Sequence, residues 1–88
     1  MTTSILETIA RAANASFSDD DLIVSLVDGR VLSVPLAWFP RLLHATPEQR
    51  ADWRLIGDGE GIHWELLDED LSVAGLLRGT PAPPLRRV

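Results

Sequence analysis

The feature that most constrains the fold is Asp28-Gly29, set between two runs rich in β-branched residues. Leu22-Ile23-Val24-Ser25-Leu26-Val27 precedes it and Arg30-Val31-Leu32-Ser33-Val34 follows it. Asp-Gly in such a setting predicts an antiparallel hairpin closed by a type I′ turn, whose two central residues need positive φ. Ala15 and Phe17 alternate with Asn14, Ser16 and Ser18, which adds a short strand in front, joined by the polar turn Asp19-Asp20-Asp21. Pro35 has no N–H to give to a ladder and ends the last strand. Residues 13–34 therefore read as a three-stranded antiparallel meander.

The period then changes. Leu36, Phe39, Leu42 and Leu43 recur at helical spacing, which predicts a helix of two to three turns over residues 37–44, with Pro40 in its first turn. Thr46-Pro47-Glu48-Gln49 is a helix start, with Thr as N-cap, Pro at the first helical position and Gln three residues on. That helix is expected to be short, ending near Trp53. Arg54-Leu55-Ile56 and Ile62-His63-Trp64 flank the loop Gly57-Asp58-Gly59-Glu60-Gly61, a flexible turn of a second hairpin. Asp68-Glu69-Asp70 then reads as the acidic N-terminus of a last helix, capped by Asp70 or Ser72 and closed by Gly79. The expected fold class is α+β: a small antiparallel sheet, made of the meander plus the second hairpin, with short helices. One domain spans residues 1–79, with 1–12 as an N-terminal arm, and the Pro- and Arg-containing stretch 80–88 is a flexible tail.

Composition narrows function mainly by exclusion. The 88 residues suit one domain, and with 45% hydrophobic residues the chain can bury a core. There is no Cys, so no disulfide and no thiolate chemistry, which fits a reducing compartment. No basic leader and no apolar run of about 20 residues is present, so a cytoplasmic protein without membrane contact is expected. The net charge of −5, with every base an Arg, repels nucleic-acid phosphates and suits a basic partner.

Candidate sites are few. His44 and His63 lie in different elements without metal-ligand spacing, so no metal or cofactor is expected. The glycine-rich loop has acids inside it and no following Lys, unlike a phosphate cradle. No nucleophile elbow is present. Of the 3 Trp residues, Trp38 precedes Phe39 in the helical pattern. Neighbours on a helix diverge by about 100°, so Phe39 takes the core and Trp38 is left half-exposed beside Arg41. Trp38, Arg41, His63, Asp68, Glu69 and Asp70 are the candidate partner-binding residues. A metal-dependent or hydrolytic enzyme using His63 with Asp68 and Asp70 is the alternative. A homo-oligomer built on the sparsely charged edge of the meander is the third reading.

Asp28-Gly29, Trp38-Phe39-Pro40-Arg41-Leu42, Ile62-His63-Trp64 and Leu67-Asp68-Glu69-Asp70 together resemble a widespread prokaryotic family of unknown function, over roughly residues 13–79. Glu65 departs from the pattern, since relatives commonly carry Pro after the Trp. The resemblance implies a small α+β domain with no established enzymatic activity. It also implies a neighbouring gene for a second small protein, in an arrangement like a toxin–antitoxin pair. The expected function is a non-enzymatic interaction module, the antitoxin-like member of that pair, with a homodimer compatible with that role. Some relatives carry a helix-turn-helix domain after this one; none lies within these residues, so direct DNA binding is not implied.

Overall fold

The computed structural model describes residues 10–79. The expected N-terminal arm, apart from its last residues, and the tail 80–88 lie outside the described residues. Strands β1 (Ala12–Phe17), β2 (Asp21–Leu26) and β3 (Val31–Pro35) form an antiparallel meander. Helices α1 (Pro40–Leu43) and α2 (Pro47–Ala51) follow. A second antiparallel sheet takes β4 (Trp53–Ile56), β5 (Gly61–Trp64) and β6 (Glu69–Ser72) in sequence order, and α3 (Val73–Arg78) closes the described chain.

The meander follows its alternation. Leu22, Val24 and Leu26 point inward from β2, opposite Phe17, Ala15 and Ala12 of β1. Asp28-Gly29 makes the hairpin, but not as a two-residue type I′ turn. Only Gly29 has positive φ (98°); its N–H donates to the Leu26 carbonyl, and the Leu26 N–H donates to Arg30 across the loop. This is a three-residue connection with glycine in the left-handed position, which spares Asp28 a positive φ. Asp28 instead accepts from the Arg30 backbone and side chain.

The helix expected over 37–44 is broken in two. Leu36–Trp38 is a single 3₁₀ turn, Phe39 leaves helical geometry at φ −129° and ψ 87°, and α1 begins at Pro40. Proline has no N–H to continue a helix and disfavours helical geometry in the residue before it. The apolar spacing survives the break, because Leu36, Phe39 and Leu42 are all buried. Trp38 is half-buried, edge-on to Phe39 at 6.4 Å. At α2 the Thr46 side chain accepts from the Gln49 backbone and the Gln49 side chain accepts from the Thr46 backbone, a complete capping box. The helix stops at Ala51, and Trp53 already belongs to β4.

The larger correction concerns Asp68-Glu69-Asp70. These residues do not cap a helix. Asp68 sits in the left-handed region at φ 53°, and Glu69 and Asp70 are the first residues of β6. The second hairpin is thus a three-stranded sheet, with Trp64 opposite Glu69 and His63 opposite Asp70. Ser72 is the cap of α3, accepting from the Gly75 N–H, and Gly79 ends the helix at φ 77°.

The two sheets share one core. Ile62, Trp64 and Leu71 of the second sheet join Leu22, Val24 and Val34 of the first, with Phe39, Leu42, Val73 and Leu76 between. Fully burying side chains of this size stabilises by about 1.5–3 kcal/mol each. Two contacts hold the sheets at opposite ends of β1. At one end Gly59, buried and at φ 94°, lies so close to Ala12 that a Cβ would stand 2.6 Å from the Ala12 carbonyl oxygen. The glycine-rich loop is therefore a docked 3₁₀ turn rather than a loose one. At the other end Phe17 meets Trp64 edge-to-face at 6.3 Å. The Arg50 guanidinium lies 5.5 Å from the Phe17 ring centre, and the Trp64 indole donates to the Arg50 carbonyl.

Candidate functional site

Strand alternation divides the acidic run between two sides of the second sheet. Asp70 faces outward with His63, its partner on β5, and Arg54 of β4 is the next residue of that row. The His63 Nδ1 bonds to Asp70 Oδ1, and Nε2 bonds to Glu65 Oε1 at 2.9 Å. Arg54 approaches the same Glu65 oxygen at 3.5 Å. A neutral imidazole can donate from one nitrogen only. With a carboxylate at each nitrogen the imidazolium is favoured, and the two hydrogen bonds, that of Asp70 first, raise the His63 pKa above its usual value. In this arrangement His63 is a charged cross-link between β5 and β6, with no nitrogen turned toward an outside substrate.

Glu69 faces the other way. Its side chain is only 13% exposed and lies 3.9 Å from Arg41. Burial raises the Glu69 pKa, against the lowering effect of the Arg41 charge. The Arg41 guanidinium also donates to the Asp68 carbonyl at 2.7 Å. Arg41 therefore pins α1 to the turn before β6. Of the candidate residues, the fold brings together Arg41 with Asp68 and Glu69, and separately His63 with Asp70. It does not bring the Asp68 carboxylate to His63. Trp38 belongs to neither group; its indole lies against Gly79, where an added Cβ would come within 3.9 Å of the ring. Among the described residues, no three His, Asp or Glu side chains gather where they could hold a metal ion.

A second feature was not foreseen from the sequence. An open groove of about 420 Å³ runs between the end of β1 and α2, lined by Ala15, Phe17, Asp19, Arg50, Ala51 and Trp53 among others. Arg50 is part of the lining. Its Nε and one terminal nitrogen donate to the carbonyls of Leu42 and Leu43, at 2.9 Å each, capping the C-terminal end of α1. Only the backbone path brings Phe17, Arg50 and Trp53 together, and no local spacing announces it.

Residues 12–82 match a family of proteins of unknown function, DUF2442. The chain belongs to the DUF2442 family. A crystal structure of a protein of unknown function from Rhodospirillum rubrum is 34% identical, with TM-score 0.73, over 85% of this chain and 93% of that one. The solution structure of an uncharacterized protein from Chromobacterium violaceum is 22% identical, with TM-score 0.75, over 94% of this chain and 78% of that one. At that identity the likeness is one of fold. No curated protein matches the chain. The DUF2442 fold here is a small α+β domain, and no described helix is long and apolar enough to cross a membrane.

Proposed function

We propose that this DUF2442 chain is a non-enzymatic protein-interaction module, the antitoxin-like member of a two-gene pair, which binds a small basic protein encoded beside it. The observation that carries this reading is a set of large apolar side chains left exposed at the margins of an acidic domain. Val27 and Val31 are 68% and 61% exposed beside the first hairpin, and Leu66 is 63% exposed in the turn before β6. Leu55 and Ile56 stand partly exposed on the edge strand β4. Apolar side chains set among acids suit a partner with an apolar centre and a basic rim. Trp38 and the exposed carboxylates of Asp68 and Asp70 are open to such a partner, while Arg41, Glu69 and His63 act by holding the surface in shape. Co-expression with the neighbouring gene product, followed by affinity purification and mass spectrometry, tests the reading. A stoichiometric basic partner supports it; this chain recovered alone refutes it.

A metal-dependent or hydrolytic role is the second reading, favoured by the His63–Asp70 pair, in which a carboxylate orients an imidazole. It requires Glu65, which is 70% exposed, to swing away from Nε2. An activity that disappears in His63→Ala while the fold persists would establish it.

A further inference from the structure

The hydrogen-bond phase of β1 determines which backbone groups its outer edge offers. The Ser18 N–H donates to the Asp21 carbonyl, so Ser18 and Asp21 are a hydrogen-bonded pair. Antiparallel pairing alternates bonded and non-bonded pairs. Phe17–Leu22 and Ala15–Val24 are then non-bonded pairs, and the N–H and C=O of Ala15 and Phe17 point away from β2. The far side of β2 agrees: Leu26 donates to Arg30, so Leu26, Val24 and Leu22 bond toward β3. Among the described residues no strand pairs with the outer edge of β1. Ala15 and Phe17 themselves line the groove, together with Ala51 and Trp53.

We infer that the outer edge of β1 at Ala15 and Phe17 receives an extended, basic-ended segment of the partner protein as an added strand. The inference rests on the interaction-module reading and names the surface and the partner's chemistry. Ala15 and Phe17 supply outward donor–acceptor sets two residues apart, the repeat that an added strand requires. Alternate side chains of the added segment face the apolar lining formed by Phe17, Pro47, Ala51 and Trp53. Charge fixes the end. Asp19 lines the groove just past the end of β1, and no described base pairs with it. The one cation in the lining, Arg50, is committed to the carbonyls of Leu42 and Leu43. A basic residue on the segment therefore meets Asp19, with Asp20 and Asp21 close behind in sequence.

The test uses the full chain and short blocked peptides of alternating Val and Thr, ending either in two Arg or in two Glu. Amide exchange is followed residue by residue by NMR. The Arg-ended peptide should slow exchange at Ala15 and Phe17 and bind about tenfold more tightly than the Glu-ended one. Ala15→Pro removes one outward N–H without touching the β1–β2 ladder and should abolish binding. Ala51→Arg, at an exposed helix position, fills the groove with a like charge and should do the same if Ala15→Pro fails to fold. Binding that leaves Ala15 and Phe17 unprotected, or that survives both variants, overturns this edge as the site while leaving the interaction module intact. Absence of binding by either peptide also overturns it, and co-purification then judges the module separately. A chain that is dimeric without peptide and becomes monomeric on Ala15→Pro makes the occupant a second copy, and likewise overturns the assignment.

Discussion

Replacing Gly59 by Ala tests how the two sheets are held together. Two costs act at once. At φ 94° an L-residue is strained, and the new Cβ would sit 2.6 Å from the Ala12 carbonyl oxygen and 3.1 Å from its nitrogen. Both are backbone atoms and cannot rotate aside. Gly29 separates the two costs, because it has nearly the same φ (98°) and nothing within 4 Å of an added Cβ. Gly29→Ala should therefore report backbone strain alone, about 1–2 kcal/mol. Gly59→Ala should add an overpacking cost of about 1–3 kcal/mol, as the loop backs away from β1. Against a total stability of about 5–15 kcal/mol the sum is large, and each kcal/mol should lower the Tm by about 4–8 °C. Urea unfolding of both variants, with the slope checked for constancy, measures the difference. Equal destabilisation by the two substitutions would refute the idea that Gly59 is there to let the loop touch β1.

Three further outcomes are expected. His63 has a raised folded-state pKa, so its contribution is fully present below its unfolded value near 6.5 and is lost as pH rises through the folded pKa. The wild type should lose stability across that interval and His63→Gln should not, as urea midpoints against pH would reveal. Glu69 also has a raised pKa, so its charged form is disfavoured in the fold, and stability attached to it falls as pH rises from its unfolded value near 4.5. Glu69→Gln should therefore hold or raise stability at neutral pH despite the nearby Arg41, and a clear loss by thermal unfolding would contradict the burial argument. Thr46→Ala opens the capping box of α2 and should cost about 0.5–2 kcal/mol in chemical denaturation, with the Gln49 amide exchanging faster.

What the sequence made legible was local. The Asp28-Gly29 hairpin, the Thr46 box, the Ser72 cap and the Gly79 stop each depend on residues a few positions apart, and each stands where expected. Trp38 and Phe39 divide between half-exposed surface and core as expected, although a break at Phe39 replaces the continuous helix on which that expectation rested. β6 was not legible, because Glu69-Asp70-Leu71-Ser72 has one buried residue and acids that favour a helix start. Its ladder to β5 makes it a strand, and that partner lies across a turn. The break at Phe39 shows the reverse conflict, a helical apolar pattern cut by the backbone chemistry of Pro40. Of the candidate site residues, the sequence named those that the fold uses as cross-links, Arg41 and His63. It was silent on Phe17, Arg50 and Trp53, whose meeting depends on how the sheets dock.

Each sheet takes its three strands in consecutive order. Every pairing within a sheet thus closes a short loop, at little entropic cost. The chain can complete each meander independently, whereas docking the two, at contacts such as Gly59 with Ala12 and Phe17 with Trp64, requires distant segments to find each other. Folding should divide into two fast local collapses and one slower docking step, with Gly59 and Phe17 on the later side of the barrier. Substitutions at these two positions should then speed unfolding far more than they slow folding.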